Sequence, residues 1–381
     1  MKIVHVVYSL NPGGIESFLL QLTKRLPEKE IETHIFSFHS GTLQPQFAQI
    51  AKLHFFGTIW SPVTWIEIFK EFKALAPASI HCHVGVVSAL ITILSRVLHI
   101  PCFFYIHSMP ALKLKLRKPI YFAIEYLSIF VTRIYMTRGF GVSEQACRYI
   151  GGSNYSSRKI SRFQLGIDFS RYAPTTDVAE SSQLRSTLSI PPDAIVIANV
   201  AGYRPEKNYA FFIDVAAELL KRDLSLYFLM VGEGVERTAM EQRIRQHNIA
   251  SHCILCGYRD DVPKLLTSVC NFLLFPSIHE GLGLALVEAQ AAGLLCYYSD
   301  SVPPEAVINR SLAHPLALSD GVVSWAEKME QEISKYRSNA VDRHEAYKIA
   351  VNSNYNIDRV TAAFVQLCKQ ENEKSPKVTT S

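Results

Sequence analysis

The feature that most constrains the fold is an alternation of short apolar runs and helical repeats, which occurs twice along the chain. The first series opens with Lys2–Tyr8, an apolar run typical of a strand, followed by the turn Asn11–Gly14 and by apolar residues at helical spacing over Ile15–Leu26. Glu32–Phe38 reads as the next strand. Strands that alternate with helices predict a parallel sheet with helices on both faces.

The alternation lapses over residues 173–192, which are rich in Ser, Thr and Pro, and then restarts. Ala194–Ala201 predicts a strand, Tyr209–Arg222 a helix and Leu224–Val231 another strand. We therefore expect an α/β protein with two doubly wound, Rossmann-like domains facing each other across a cleft, where open sheets of this kind bind ligands. The predicted segments are a first domain over 1–172, a linker region over 173–192, a second domain over 193–352, and a C-terminal helix with a loose tail over 353–381.

Composition excludes several classes of protein. The 381 residues carry a formal net charge of only +5, which does not suggest a dedicated nucleic-acid binder. The longest apolar stretches, Val84–Leu94 and Pro119–Thr132, fall short of the ~20 apolar residues that a membrane span needs. Eight scattered cysteines and a first strand that begins at the N-terminus favour a cytoplasmic protein with reduced thiols.

The segment His279–Glu288 carries the strongest chemical pattern. Gly281 and Gly283 lie between a predicted strand and a predicted helix, so backbone amides at the positive end of the helix dipole are accessible to a phosphate or diphosphate. Glu280 and Glu288 would lie roughly 12 Å apart in a fully helical segment, beyond the ~5–10 Å of paired hydrolase carboxylates. We expect them to contact one extended ligand, the alternative being two solvated glutamates at a Gly-rich helix start.

This pattern, the Gly-Gly loop after the first strand and the Val231–Gly234 turn together resemble the retaining GT-B glycosyltransferases, and most closely those of bacterial exopolysaccharide clusters. The resemblance runs over nearly the whole chain. It implies a GT-B fold with an acceptor-side first domain and a nucleotide-sugar donor domain second. The implied reaction moves a sugar from a nucleotide diphosphate, with UDP expected, to a lipid-linked saccharide with retention of configuration. No cofactor and no metal are implied, since the nucleotide-sugar is a substrate.

The resemblance also implies roles for residues of the second domain. Glu288 is expected at the ribose hydroxyls, Glu280 at the donor sugar and Lys207 at the leaving diphosphate. A fixed cation at that place stabilises the charge that develops as the glycosidic bond breaks. The other implied donor-binding positions are Gly257 and Tyr258 beside the base, and the amides of Gly283, Leu284 and Ala285 at the diphosphate.

In the first domain, the resemblance implies that the backbone at Gly14 approaches the donor diphosphate and that Gly13 and Ser143 lie on the acceptor side. His107 matches a catalytic histidine near the reacting sugar. The residues alone favour a hydrogen-bonded histidine at a strand end.

The chain departs from the family at two positions. Gly202 stands where an arginine usually precedes the residue that is Tyr203 here, and Leu165 stands where an asparagine usually precedes Gly-Ile-Asp. Arg204 is the candidate replacement, because its five donors suit a diphosphate; a surface charge is the alternative. Either departure predicts weakened donor binding or a chain without catalytic activity.

Two further features have both a functional and a structural interpretation. His81 and His83 are predicted to share one face of a strand, but a metal would need a third ligand that the sequence does not show. Residues 112–138 interleave basic and aromatic side chains, which is typical of a helix lying on an anionic membrane at the inner face of the cell. The alternative is a helix that packs its aromatic face on the domain core.

Three other functions fit parts of the sequence. An NAD-dependent oxidoreductase is disfavoured, because Ser17 stands at the third glycine position of a dinucleotide loop. A catalytically silent partner of another transferase gains support from Gly202. A UDP-sugar epimerase of the same fold would release UDP and free sugar without an acceptor.

Overall fold

The computed structural model describes residues 1–107, 119–152, 155, 159–175, 177–338 and 341–374. The chain divides into two compact units. The first unit combines residues 1–167 with 357–381, and the second comprises residues 168–356.

The described residues of the first unit build a seven-stranded parallel sheet with the order β3-β2-β1-β4-β5-β6-β7. Its strands are β1 (Lys2–Ser9), β2 (Glu32–His39), β3 (Lys52–Phe55), β4 (Ser79–Cys82), β5 (Cys102–Ile106), β6 (Arg138–Gly141) and β7 (Ile160–Arg162). Its helices up to residue 151 are α1 (Gly14–Arg25), α2 (Gln44–Ala48), α3 (Pro62–Leu75), α4 (Ser88–Val97), α5 (Pro119–Tyr135) and α6 (Glu144–Gly151).

The described residues of the second unit build a six-stranded parallel sheet with the order β10-β9-β8-β11-β12-β13. Its strands are β8 (Ile195–Val200), β9 (Leu226–Val231), β10 (Cys253–Gly257), β11 (Phe272–Phe275), β12 (Leu295–Ser299) and β13 (Ala313–Leu316). Its helices are α7 (Val178–Thr187), α8 (Tyr209–Leu220), α9 (Arg237–Gln246), α10 (Val262–Ser268), α11 (Leu284–Ala291), α12 (Gly321–Ser338) and α13 (Arg343–Asn352).

The central strands are largely buried because helices cover both faces of each sheet. β5 and β11 are buried at every position, which is the pattern of a parallel sheet with no solvent face. Large side chains that are fully buried fill the layers between sheets and helices. In the first unit they include Phe36, Phe47, Phe72, Phe103 and Phe104, and in the second Tyr203, Phe212, Phe228, Phe272 and Trp325.

The two units differ in extent from the predicted segments. The last helix, α14 (Ile357–Lys374), packs on the first unit, where its Phe364 ring lies 5.7 Å from the His5 ring. α7 lies within the predicted linker region 173–192 and belongs to the second unit. It is held there by the Ser181 hydroxyl, which donates to the Ser268 carbonyl at 2.6 Å.

Most predicted elements are confirmed to within two residues at each end. The strand predicted over Ala194–Ala201 is Ile195–Val200, and the helix predicted over Tyr209–Arg222 ends at Leu220. The predicted α/β class is confirmed by the two parallel sheets.

Each sheet contains one place where the strand order reverses. In the first sheet this switch point lies between β1 and β4, and in the second between β8 and β11. Ligands of open α/β sheets bind at the carboxyl ends of the strands beside such a point. The loops that follow these four strands are therefore the first places to look for a functional site.

Candidate functional site

An ion pair stands at the switch point of the second sheet. Lys207 follows β8 and Glu280 follows β11, and Lys207 Nζ lies 2.6 Å and 2.8 Å from the two Glu280 carboxylate oxygens. The two side chains are only 11% and 8% exposed. The predicted catalytic pair is thus brought into direct contact, so each side chain compensates the charge of the other.

Backbone contacts hold the two loops together. Asn208 adopts a left-handed conformation with φ 57° at the start of α8, and its side-chain amide donates to the Pro276 carbonyl at 3.1 Å. The Ile278 amide donates to the Glu206 carbonyl at 2.8 Å. These bonds fix the relative position of Lys207 and Glu280 through the main chain.

The N-terminus of α11 lies directly after this pair. Gly283 has φ 93°, and a Cβ there would lie 3.1 Å from Val302 Cγ1, so the position favours glycine. The helix begins at Leu284 and has no side-chain cap among the described residues. The amides of Leu284 and Ala285 are therefore among the N–H groups that a helix leaves without an intrahelical partner. Glu280 precedes the helix, so the fully helical geometry considered for Glu280 and Glu288 does not occur.

Glu288 lies inside α11, where its carboxyl meets the side chains of Tyr172 and Arg171. Burial raises the pKa of the Glu288 carboxyl to about 7, while a hydrogen bond with the Tyr172 hydroxyl and the nearby Arg171 guanidinium oppose that rise. Tyr172 is itself buried, and burial beside Glu288 raises the pKa of its hydroxyl well above the usual value. The carboxyl is thus held by a tyrosine and titrates near neutrality.

The predicted base-side residues lie at the end of β10. Gly257 has φ 69°, and its carbonyl accepts from the Gly232 amide at 3.0 Å. Tyr258 is half exposed. Arg171 reaches the same loop, donating to the Asp260 carbonyl at 2.9 Å. Arg171 therefore connects the Tyr258 loop with the surroundings of Glu288.

Arg204 lies against the glycine that departs from the family. A Cβ at Gly202 would lie 3.6 Å from Arg204 Nε and 3.6 Å from the Glu233 carbonyl oxygen, which are ordinary contact distances. The Arg204 side chain is 60% exposed and pairs with Glu206 at 3.1 Å. Its guanidinium thus lies beside the position from which a residue-202 side chain would project.

Three other polar atoms near this switch point lack a hydrogen-bond partner among the described residues. They belong to Asn199 of β8 (Oδ1), Ser277 (Oγ) and His279 (Nε2). Asn199 and Ser277 are fully buried. Buried polar atoms without partners are uncommon in folded proteins, so their concentration here marks a polar site.

In the first unit, the predicted residues follow β1, β5 and β6. Gly13 precedes α1 in an extended conformation, and Gly14 is the first residue of that helix. Ser143 is buried and caps α6, since its hydroxyl accepts from the Ala146 amide at 3.3 Å. His107 follows β5 directly.

His107 makes one of its two possible hydrogen bonds within the described residues. Its Nε2 lies 2.8 Å from His83 Nδ1, and its Nδ1 has no partner there. Within the part of the chain that the structure describes, His107 therefore has one ring nitrogen available to a ligand.

His81 and His83 both engage neighbouring side chains of the same sheet. His81 lies 2.9 Å from Ser79 Oγ and 3.0 Å from the Tyr105 hydroxyl, and His83 bonds to histidines on both sides. No group of three or more His, Cys, Asp or Glu side chains in the described ranges could hold a metal ion.

The described part of residues 112–138 exposes four of its five aromatic side chains, Phe122 being partly buried. Tyr121, Tyr126, Phe130 and Tyr135 of α5 are all at least 40% exposed, so packing of an aromatic face on the core is wrong for these residues. Lys113, Lys115, Arg117 and Lys118 lie outside the described residues. No helix among those described is long and apolar enough to cross a membrane.

A pair of parallel sheets with charged and polar groups at a switch point defines an α/β protein built to bind ligands at the carboxyl ends of its strands. Residues 12–171 match Glycosyltransferase Family 4, and residues 180–348 match Glycosyl transferases group 1. The chain therefore belongs to the GT-B glycosyltransferases. Together these matches span both units.

Curated relatives cover most of the chain. EpsF of Bacillus subtilis (strain 168), named as a glycosyltransferase, is 25% identical over 341 residues, which are 86% of each chain. UDP-Gal:alpha-D-GlcNAc-diphosphoundecaprenol alpha-1,3-galactosyltransferase of Escherichia coli is 24% identical over 311 residues, which are 79% of each chain.

Solved structures share the fold at low identity. HepE of Anabaena in complex with UDP-glucose has a TM-score of 0.82 and 16% identity, covering 97% of this chain and all of its own. The GT-B expectation is confirmed.

Sequence reasoning missed three residues around the predicted ones. Tyr172 and Arg171 follow the Gly166–Asp168 turn, where the only predicted departure is Leu165 in place of an asparagine. The sequence feature that could have identified them is an arginine followed by a tyrosine directly after a turn that the family shares. His5 carried no signal, because only the pairing of β1 with β4 brings it to His83.

Proposed function

We propose that the protein is a retaining glycosyltransferase that transfers a sugar from a UDP-sugar to a lipid-linked saccharide in exopolysaccharide or surface polysaccharide synthesis. The observation that carries this proposal is the Lys207–Glu280 pair beside the uncapped N-terminus of α11. The name of the Escherichia coli relative and the UDP-glucose complex of HepE support the donor and acceptor classes.

Each charged group has a role that matches its place. The α11 amides bind the diphosphate, because a helix N-terminus favours an anion. Lys207 stabilises the negative charge that grows on the leaving diphosphate, and Glu280 binds the donor sugar. Glu288 accepts hydrogen bonds from the ribose hydroxyls. Because Lys207 and Glu280 are paired with each other, the arriving donor must share or replace that contact.

The chemistry is a front-side displacement. The bond between the anomeric carbon and the diphosphate oxygen breaks through an oxocarbenium-like state, and the acceptor hydroxyl oxygen forms the new bond on the same face. The hydroxyl proton passes to the leaving phosphate. Lys207 and Glu280 therefore act by electrostatic stabilisation and positioning rather than as covalent participants.

The first test is calorimetric titration of the purified protein with UDP, GDP and ADP, followed by assays of UDP release from UDP-glucose and UDP-galactose. We expect tight binding of UDP and release that depends on a lipid-linked acceptor. Lys207→Ala should weaken UDP binding, whereas Lys221→Ala, which removes an exposed lysine of the same unit, should not. Binding of none of the three nucleotides would overturn the proposal.

A silent partner of another transferase is the second candidate, and Gly202 is the observation that favours it. In that case the protein would bind no UDP-sugar, and Gly202→Arg would restore binding. Release of UDP and free sugar without any acceptor would instead indicate an epimerase.

The proposed lipid-linked acceptor requires access to a membrane, and α4 and α5 carry a surface suited to one. The two helices contact each other through buried hydroxyls: Thr132 donates to Ser88 at 2.7 Å, and the Ala89 amide donates to Ser128 at 3.0 Å. Apolar side chains instead point outward. This apolar face consists of Leu90, Ile93 and Val97 of α4 with Ile120, Ile124, Leu127, Phe130 and Ile134 of α5.

Surface helices of a water-facing domain bury their apolar side and expose their polar side. These two adjacent helices do the reverse, because they bury hydroxyls and expose large apolar side chains. Such a face gains free energy by entering the headgroup region of a bilayer, where interfacial helices bury their apolar side. We propose that this face binds the anionic membrane that holds the acceptor.

Flotation with vesicles of phosphatidylglycerol and phosphatidylcholine tests this. Ile124→Asp with Leu127→Asp should abolish flotation and leave UDP binding unchanged. Val178→Asp with Val235→Asp is the matched control, because both residues are more than three-quarters exposed but lie in the second unit. Equal flotation of both double variants and the wild type would refute a role of the apolar face.

A further inference from the structure

A chain of three histidines crosses the first sheet towards the carboxyl end of β5. His5 Nδ1 lies 3.0 Å from His83 Nε2, and His83 Nδ1 lies 2.8 Å from His107 Nε2. The ring centroids are 5.3 Å and 5.0 Å apart, with interplanar angles of 25° and 31°. Since the nitrogens are much closer than the centroids, the rings meet edge to edge and are hydrogen-bonded. We call these three residues the histidine chain.

The histidine chain is neutral at physiological pH. Burial lowers the pKa of His5 and His107 to about 3, and it lowers the pKa of His83 well below the usual value. A neutral imidazole has one N–H donor and one acceptor nitrogen. Both hydrogen bonds must therefore run in the same direction, because His83 cannot donate to both neighbours.

The buried end of the histidine chain determines that direction. His5 is fully buried beside Phe364, and its Nε2 has no partner among the described residues. Bonds that run towards His5 would leave an N–H at this nitrogen with no acceptor, an arrangement that folded proteins rarely contain. Bonds that run towards His107 leave an unpaired acceptor at His5 and put the proton on His107 Nδ1. That nitrogen also has no partner among the described residues, but it belongs to a partly exposed residue at the carboxyl end of β5, where a ligand can accept the hydrogen bond.

We propose that His5 and His83 are positioning residues that hold His107 as its Nδ1–H tautomer, so that this N–H donates a hydrogen bond to an uncharged hydroxyl of the sugar substrate. The ligand role rests on the proposed function, whereas the tautomer follows from the histidine chain itself. A histidine that is neutral suits a sugar hydroxyl, since a phosphate would instead favour a cation.

The packing of His83 supports this role. Its ring stacks on Tyr105, with centroids 4.7 Å apart and an interplanar angle of 24°. The ring is thus restrained on its face by Tyr105 and at its edges by the two neighbouring histidines. A ring held in this way transmits a fixed orientation to His107, because the second nitrogen of a histidine takes the role that its first hydrogen bond leaves.

The direct test is two-bond ¹H–¹⁵N correlation NMR on the full-length protein labelled with ¹⁵N-histidine, with His107 assigned from the spectrum of His107→Asn. In the wild type we expect a protonated Nδ1 and a bare Nε2 at His107. The opposite tautomer, Nε2–H, would overturn the proposal. This measurement needs no ligand, so it decides the tautomer even if the protein proves not to bind UDP.

Two substitutions of His83 then separate hydrogen bonding from packing. His83→Phe keeps a ring but neither hydrogen bond, and it should shift His107 towards the Nε2–H form. His83→Gln keeps one donor and one acceptor and should retain Nδ1–H. An unchanged His107 spectrum in His83→Phe would remove the positioning role.

His81→Gln is the matched control. His81 is fully buried in β4, and its hydrogen bonds go to Ser79, Tyr105 and Cys368 and not to the histidine chain. This variant should leave the His107 tautomer unchanged. A shift equal to that of His83→Phe would show that packing alone sets it.

Binding distinguishes the ligand role from that of the donor site. His83→Phe should weaken binding of UDP-glucose or UDP-galactose, whichever the wild type binds, about five-fold, the scale of one neutral hydrogen bond. Binding of UDP, which has no sugar, should not change, and His83→Gln should restore sugar-dependent affinity. Equal weakening of UDP and UDP-sugar would overturn the sugar contact, whereas absence of both in the wild type would overturn the proposed function.

Discussion

The switch points of the two sheets occupy equivalent positions in similar folds, but one is lined by charged groups and the other by neutral ones. Beside β8 and β11, the second unit holds a buried ion pair and a carboxyl that titrates near neutrality. Beside β1 and β4, the first unit holds histidines that burial keeps neutral. A charged site suits phosphates, whereas a neutral one suits hydroxyls. The two sites therefore differ in the ligand chemistry that each could recognise.

Disruption of the ion pair should have the largest effect. We expect Lys207→Ala or Glu280→Ala to lower turnover at least ~100-fold, the scale of losing one preorganised electrostatic contact. Initial rates of UDP release at saturating donor measure this. Near-wild-type turnover in both variants would contradict the assignment of the charged site.

Lost stability must be separated from lost catalysis in these variants. Removal of one partner leaves the other charge buried and unpaired, which is destabilising, whereas replacement of both by apolar residues is often neutral. The double variant Lys207→Met with Glu280→Leu should therefore unfold near the wild-type temperature and remain inactive. A double variant that recovers activity together with stability would reduce the pair to a structural role.

The raised pKa of the Glu288 carboxyl makes the stability of the protein depend on pH. The folded carboxyl has a pKa of about 7 against a reference of 4.5. Below pH 4.5 the carboxyl is protonated in both the folded and the unfolded protein. Between pH 4.5 and 7 it ionises in the unfolded protein but stays protonated in the folded one, so the free energy of unfolding falls as pH rises. A pKa shift of this size corresponds to about 3 kcal/mol of unfolding free energy for a fully buried carboxyl. Partial solvent contact reduces this contribution to about 2 kcal/mol.

Glu288→Gln removes this titration. The melting temperature of the variant relative to the wild type should therefore rise by about 4 °C between pH 4.5 and 8. Thermal scans at several pH values measure the difference. A constant offset across that range would show that Glu288 does not ionise in a buried setting.

The fold was predictable because its signals are local. Buried parallel strands such as β11 are short apolar runs, and the helices between them repeat at helical spacing, so most ends agree within two residues. The unit boundaries were not predictable from the same signals. α14 joins the first unit only because its Phe364 finds a partner ring in His5, a contact between residues 359 positions apart.

The candidate site was predictable only in part. Lys207 and Glu280 came from motifs, and their contact needs only that β8 and β11 be neighbours. The histidine chain depends on strand register: a slip of one residue between β1 and β4 would turn His5 to the other face of the sheet. Tyr172 was missed because its hydroxyl meets Glu288 through packing, which no sequence spacing encodes.

Arg204 tests whether the charged site is complete. If it replaces the family arginine, Arg204→Ala should weaken UDP binding about ten-fold, the scale of a charge-assisted hydrogen bond. Gly202→Arg in that background should recover the affinity, since a Cβ at residue 202 would meet only ordinary contacts. Titration calorimetry measures both. Arg245→Ala, an exposed arginine of α9, is the control, and an equal loss in it would leave Arg204 as a surface charge.

The smallest expected effect is that of Tyr172→Phe. The tyrosine hydroxyl stabilises the Glu288 carboxylate, so its removal should raise the pKa of that carboxyl further and weaken UDP binding a few-fold at pH 7, consistent with about 1 kcal/mol for one hydrogen bond. At pH 9, where the carboxyl is ionised in both proteins, the affinity difference should shrink. A difference in UDP affinity that does not vary with pH would mean that Tyr172 acts by packing alone. The charged site of the second unit would then consist of the Lys207–Glu280 pair, and the ionisation of Glu288 would not contribute to binding.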